Sequence, residues 1–153
     1  MPDPITSLGH SDVTELTYRS AVFADVDSIL LFWKTAAEDS NRPIDSADAV
    51  QRVIQRDPDA LVLAWDGDLI VGSLVVGWDG WRCHLYRLAV HPEYRRRGIG
   101  TALLLRAEER FLTFGGTRAD AMVLDGNDSA HGLWSRAGYT RQGEWSRWVK
   151  FLT

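Results

Sequence analysis

Leu88-Ala89-Val90-His91-Pro92-Glu93-Tyr94-Arg95-Arg96-Arg97-Gly98-Ile99-Gly100-Thr101 is the stretch on which the reading of this 153-residue chain turns. It begins as an apolar strand end, passes through a turn carrying His91-Pro92 and the run Arg95, Arg96, Arg97, and opens a long helix at Gly98. Gly98 and Gly100 leave no side chain to block a close ligand, so the N–H groups of the helix start can point at an anion, helped by the helix dipole. Thr101 adds a hydroxyl in the first turn, and the arginines add charge-assisted hydrogen bonds. The alternative is a pair of packing glycines beside a solvated arginine run. The strand before, the helix after and the local charge together favour a phosphate cradle. A dinucleotide site would want Gly-x-Gly-x-x-Gly after the first strand, whereas this turn holds two glycines and follows what reads as the fourth.

Upstream, residues 15–20 read as a short strand. Asp25 then caps a helix with Val26, Ile29, Leu30, Trp33 and Ala37 at helical spacing. The pattern breaks at Asn41, Arg42 and Pro43, and Ser46 opens a second helix with Ala49, Val50, Val53 and Ile54, which Asp57-Pro58 stops. Residues 60–90 turn β-branched and aromatic around Asp66-Gly67 and Asp79-Gly80, giving three antiparallel strands joined by tight turns. Trp78 and Trp81 flank the second turn as a cross-strand pair.

Downstream, Ile99, Leu103, Ala107, Phe111 and Phe114 line one face of the long helix, which Gly115-Gly116 ends. Residues 118–125 read as a strand, 128–137 as a helix closed by Gly138, and 139–152 as one or two terminal strands. This order calls for an α/β fold: a mixed, mostly antiparallel sheet of about seven strands with helices on both faces. The length suits one domain over residues 15–153, behind a loose N-terminal arm at 1–14.

Apolar residues make up 45% of the chain and charged residues 25%, the balance of a globular protein, and the net charge of −4 gives no general reason to expect nucleic acid. No segment has the length or apolarity of a membrane anchor. Cys83 is the one cysteine, which excludes an internal disulfide, argues against structural zinc and fits a cytoplasmic location. No metal is expected.

With these residues in hand, the chain resembles the GNAT superfamily of acyl-CoA-dependent N-acetyltransferases. Arg95-Arg96-Arg97-Gly98-Ile99-Gly100 matches every specified position of the family's pyrophosphate motif, Arg/Gln-x-x-Gly-x-Gly/Ala. Leu88-Ala89-Val90 is similar to the segment whose backbone pairs with the pantetheine arm like an added strand. A second block, Asn127-Asp128-Ser129-Ala130-His131-Gly132-Leu133-Trp134 with Gly138-Tyr139 behind it, resembles Asn-x-x-Ala-x-x-Leu-Tyr-x-x-x-Gly-Phe. The resemblance implies that Asn127 contacts the coenzyme and that Trp134 lies near its sulfur, although Asn127 also suits a helix cap. Trp134 departs from the family's Tyr: an indole N–H donates a hydrogen bond but is no acid near neutral pH. The implied cosubstrate is acetyl-CoA, and the implied acceptor is an amine of a small molecule or peptide.

An ammonium must lose a proton before it attacks a thioester, which directs attention to His and Glu near the fourth strand. His84 is the leading candidate for general base. Simple alternation puts it on the face of Tyr86, Leu88 and Val90 unless a bulge intervenes. Tyr86 is the alternative, and Glu144, Glu38 and Asp79 are acidic residues within reach of the acceptor side. A backbone N–H near Val90 is the natural donor to an oxyanion, and Cys83 lacks a cation to activate it as a nucleophile. Trp33, Trp78, Trp81 and Trp145, among seven tryptophans, suggest an acceptor pocket that is partly aromatic. Met122 and Leu124 stand where the branch acting on ribosomal protein N-termini carries Glu and Arg, which disfavours a peptide N-terminus. Two other readings compete: an acyl-CoA-binding module that has lost turnover, and a homodimer built by pairing the terminal strands.

Overall fold

The structure, a computed structural model, describes residues 15–36 and 44–153. Among them five strands form one sheet in chain order: β1 (Thr17–Ser20), β2 (Leu61–Asp66), β3 (Leu69–Trp78), β4 (Cys83–Val90) and β5 (Ala119–Ala121). β1 to β4 pair antiparallel, and β5 joins β4 in parallel. The helices are α1 (Val26–Ala36), α2 (Ala47–Arg56), α3 (Ile99–Thr113) and α4 (Asp128–Arg136). The arm at 1–14, the break at 41–43 and Glu38 lie outside the described residues.

Local chemistry places these elements much as the sequence suggests. Ser46 caps α2, its Oγ accepting from the Ala49 N–H at 3.2 Å. Gly67 and Gly80 take positive φ at the two hairpin turns, +57° and +94°. Asp25 acts differently from the expected α1 cap. It ends a short 3-10 turn, and its carboxylate accepts backward from the Val22 N–H and from the Arg19 guanidinium.

Helices cover both faces of the sheet. α1 and α2 bury Val26, Ile29, Phe32, Trp33, Val50 and Ile54 on one side, while α3 and α4 bury Leu103, Leu104, Ala107, Phe111 and Trp134 on the other. At roughly 1.5–3 kcal/mol for each large apolar side chain buried, these two layers dominate stability. Ile99 sits so close to β3 that a Cβ on Gly72 would lie 2.7 Å from its Cγ2.

Three strand expectations are corrected. Residues 118–125 give only the three-residue β5, and no strand forms after α4, so the sheet has five strands rather than about seven. An edge of three residues offers too little ladder for residues 139–152 to extend. Trp78 and Trp81 do not form a cross-strand pair: Trp78 stacks on Phe114 at 5.6 Å, while Trp81 is exposed beneath the Arg82 guanidinium.

The decisive irregularity lies in β4. Ser73 faces Ala89 and Val75 faces Tyr86, so two steps on β3 oppose three on β4, and Arg87 takes a left-handed φ of +50°. This bulge breaks the alternation. Leu88 and Val90 pack with Cys83 and Leu85 on the α3 side, whereas Ala89 packs on the α1 side, where Arg87 reaches Trp33. His84 and Tyr86 therefore do not share a face with Leu88 and Val90.

Candidate active site

β4 and β5 run together only from Cys83 and Ala119 to Leu85 and Ala121, after which the ladder stops. The His91 N–H bonds to the Val71 carbonyl on β3 at 2.8 Å. By strand alternation, the N–H and C=O of Val90, and of Leu88 before it, point to the opposite edge, where β5 no longer pairs. A backbone edge is thus exposed at the end of an otherwise central strand, able to take an extended ligand. The Arg95 Nε turns back toward this edge, 3.4 Å from the Val90 carbonyl.

The helix that begins beside this edge is α3. Gly98, its N-cap, has φ +80° with nothing within 4 Å of where a Cβ would stand, and it has no side chain to cap the N–H groups of Ile99, Gly100 and Thr101. The first intrahelical bond is from the Ala102 N–H to the Gly98 carbonyl. Arg95, Arg96, Arg97 and Thr101 are exposed around this start. Ile99 contributes its side chain to the core and only its backbone to the turn. Gly100 does a different job from Gly98: a Cβ there would lie 2.7 Å from Leu133 Cδ2, so its bareness seats α4 against α3. Uncapped N–H groups, open space at Gly98 and exposed guanidiniums suit a pyrophosphate.

The turn is tethered from behind. The Tyr94 hydroxyl donates to Asp66 Oδ2 at 2.6 Å, joining the Arg-rich loop to the end of β2, and the Arg97 guanidinium lies 4.8 Å over the Tyr94 ring. In the sequence Asp66 reads only as a turn residue, because its partner Tyr94 lies 28 positions away.

From α4, Asn127 caps its own helix, its Oδ1 accepting from the Ala130 N–H at 3.1 Å, a bond that leaves the amide's donors unused by the cap. Trp134 is 9% exposed and packs edge-on against Tyr139 at 4.9 Å, so its indole mainly fills the α3-side core. The Tyr139 hydroxyl donates to Glu108 and is held far above the ordinary phenol range, first by burial and then by Glu108. It stays protonated at neutral pH, with its hydrogen turned to Glu108.

On the other face lie His84 and Tyr86, their rings 6.0 Å apart. Gly77 lies opposite His84 on β3, and its missing side chain makes room for the Tyr86 ring. His84 Nδ1 is 2.7 Å from Asp120 Oδ1, and Nε2 is 3.7 Å from Asp79 Oδ2. The N–H groups of Arg82 and, next, Trp81 fix Asp79 in its turn and hold its carboxyl below the usual range. Burial, then Asp120 and Asp79, push the Tyr86 hydroxyl up, against a lowering by Arg147. Asp120 was not among the sequence candidates, because only the parallel register puts it beside His84. Glu144 is exposed after α4.

Cys83 is fully buried, and burial, then Asp120 and Asp79, raise its thiol, the opposite of what a nucleophile needs. Trp33, a suggested pocket aromatic, is buried too, its Nε1–H donating to Ser73 Oγ. Among the described residues no three His, Cys, Asp or Glu gather as metal ligands, and no helix is long and apolar enough to cross a membrane.

Known proteins are similar to this chain in sequence and in fold. An acetyltransferase of Yersinia pestis (strain Pestoides F) is 33% identical over 119 residues, 77% of this chain and 83% of its own. Ard1 from Thermoplasma volcanium superposes with a TM-score of 0.73 at 18% identity, covering 84% of each chain. The PaiA N-acetyltransferase from Thermoplasma acidophilum, solved with coenzyme A, gives 0.72 at 17% identity, over 80% of this chain and 87% of that one. The profile of the Acetyltransferase (GNAT) family matches residues 25–139, from the turn before α1 to the Tyr behind α4, and the chain belongs to that family of acyl-CoA-dependent N-acetyltransferases.

Proposed function

We propose that this protein transfers an acetyl group from acetyl-CoA to an amine of a small molecule or peptide by direct attack, in the cytoplasm. The observation that carries this reading is the end of the β4–β5 ladder at Leu85, which bares the outward edge of Leu88 and Val90 beside the uncapped start of α3. Leu88 and Val90 would hold the pantetheine arm by backbone hydrogen bonds. The N–H groups of Ile99, Gly100 and Thr101, with Arg95, Arg96 and Arg97, would hold the pyrophosphate, and Asn127 would add its side-chain amide.

The bound coenzyme supplies an activated acyl group on sulfur. His84 takes the proton from the acceptor ammonium, with Tyr86 beside it on the acceptor face. The outward Val90 N–H stabilises negative charge as it develops. No side chain is needed to protonate the leaving thiolate, whose conjugate acid has a pKa of roughly 8.5 and which takes its proton from water, so the buried indole of Trp134 is no obstacle. The buried Cys83 takes no part.

The test is free-thiol release from acetyl-CoA across a panel of small amines, amino acids and peptides, with the His84→Gln variant alongside. Turnover with at least one amine, reduced about 10²- to 10⁴-fold in the variant, is expected. Absence of turnover across the panel would favour a binding module, and an unaffected variant would remove His84 from the mechanism.

A further inference from the structure

His84 and Asp120 are register partners across the parallel β4–β5 pair, and this brings His84 Nδ1 to 2.7 Å from Asp120 Oδ1. A carboxylate can only accept a hydrogen bond, so the ring nitrogen facing it must carry the hydrogen. The neutral imidazole is then the Nδ1–H tautomer, and its lone pair lies on Nε2. We infer that Asp120 is a positioning residue for the transfer reaction: it fixes the His84 tautomer and ring angle so that Nε2 presents its lone pair to the acceptor ammonium.

This rests on His84 as the base and adds the residue through which that base is set. An imidazole free in solution favours the other tautomer, and in catalytic His–carboxylate pairs generally the wrong tautomer cannot accept the proton. The groups facing His84 are Asp120 from β5, Asp79 from the β3–β4 turn and Tyr86 along β4, with Arg82 and Arg147 as the charges beside Asp79 and Tyr86. Asp79 is the weaker partner, 3.7 Å away at the Nε2 side, where it flanks the arriving cation without supplying a hydrogen. Asp120 is itself half exposed, so its loss should leave the fold intact.

The experiment is ¹⁵N NMR of the histidine rings in the full chain, with the His84 signals identified by their disappearance in His84→Gln. The expected result is a pyrrole-like Nδ1 and a pyridine-like Nε2 at His84 in the native protein, and a shift toward the Nε2–H tautomer in Asp120→Ala. In parallel, Asp120→Ala should lower kcat at least about tenfold, a part of the general-base contribution, with KM for acetyl-CoA and the melting temperature unchanged. A persistent Nδ1–H signal in Asp120→Ala, or an unchanged kcat, would overturn the positioning role. If His84→Gln keeps full activity, the base assignment fails instead, whatever the tautomer shows.

Discussion

Ser73 Oγ donates to the Arg87 carbonyl at 2.8 Å, tying β3 to the one β4 residue whose left-handed φ makes the bulge. Ser73 is fully buried, and the Trp33 Nε1–H donates to it in turn at 2.9 Å. The side chain of Arg87 is held as well, its Nη2 2.5 Å from Asp45 Oδ1 just before α2. The bulge that separates His84 and Tyr86 from Leu88 and Val90 is therefore fixed by a buried polar chain reaching to α1.

Replacing Ser73 by Ala would leave the Trp33 indole and the Arg87 carbonyl without this partner. Ser73→Ala is expected to lose about 1–3 kcal/mol of stability, the worth of two hydrogen bonds at roughly 0.5–1.5 kcal/mol each, and to weaken coenzyme A binding through a loosened strand edge. Urea unfolding and calorimetric titration with coenzyme A check the two effects separately.

The two glycines of the turn should fail differently. Gly98→Ala adds a methyl group to open space with a positive φ, so the fold should survive a backbone strain of roughly 1–3 kcal/mol while acetyl-CoA affinity drops sharply. Gly100→Val drives side-chain atoms into Leu133, and overpacking of about 1–3 kcal/mol should appear first as a lower melting temperature. Thermal unfolding with and without acetyl-CoA separates the two: the ligand-induced shift vanishes in the first, and the ligand-free baseline falls in the second.

Much of this was legible in the chain, because the cues were local. Ser46, the Asp-Gly turns and the Gly-rich start of α3 each act through their own backbone, and their places follow from short-range rules. The bulge at Arg87 was not legible, since it depends on Ser73 and Trp33, which are far apart in sequence. Asp120 escaped for the same reason: its partnership with His84 exists only once a parallel strand is in register. Residues 139–152 have strand-like composition but lack a long enough edge to join, and the packing role of Gly100 was hidden because its contact, Leu133, belongs to another helix.

Acid stability should report on Asp25. The hydrogen bonds from Arg19 hold its carboxyl below the usual range, with the Val22 N–H helping against the opposing effect of burial. A depressed folded value means that the stabilisation is complete above the unfolded value, about 3.9, and is lost as pH falls through the folded value beneath it. Arg19→Gln should lower the melting temperature at neutral pH and flatten its decline below about pH 4; pH-dependent thermal unfolding of both proteins gives the comparison.

Cys83 lies so close under Gly116 that a Cβ on that glycine would stand 2.4 Å from the sulfur. Cys83→Ala should keep acetyl transfer at the native kcat while losing some thermal stability, and the native thiol should react slowly with alkylating reagents until the protein unfolds. Loss of turnover in this variant at temperatures where it stays folded would point to an acyl-cysteine route.

A structure of the protein with coenzyme A tests the central claim most directly. The account predicts pyrophosphate oxygens within hydrogen-bonding distance of the amides of Ile99, Gly100 and Thr101, with the pantetheine chain running antiparallel-like along Leu88 and Val90. A coenzyme bound away from the α3 start, with that turn filled by the protein's own side chains, would contradict it.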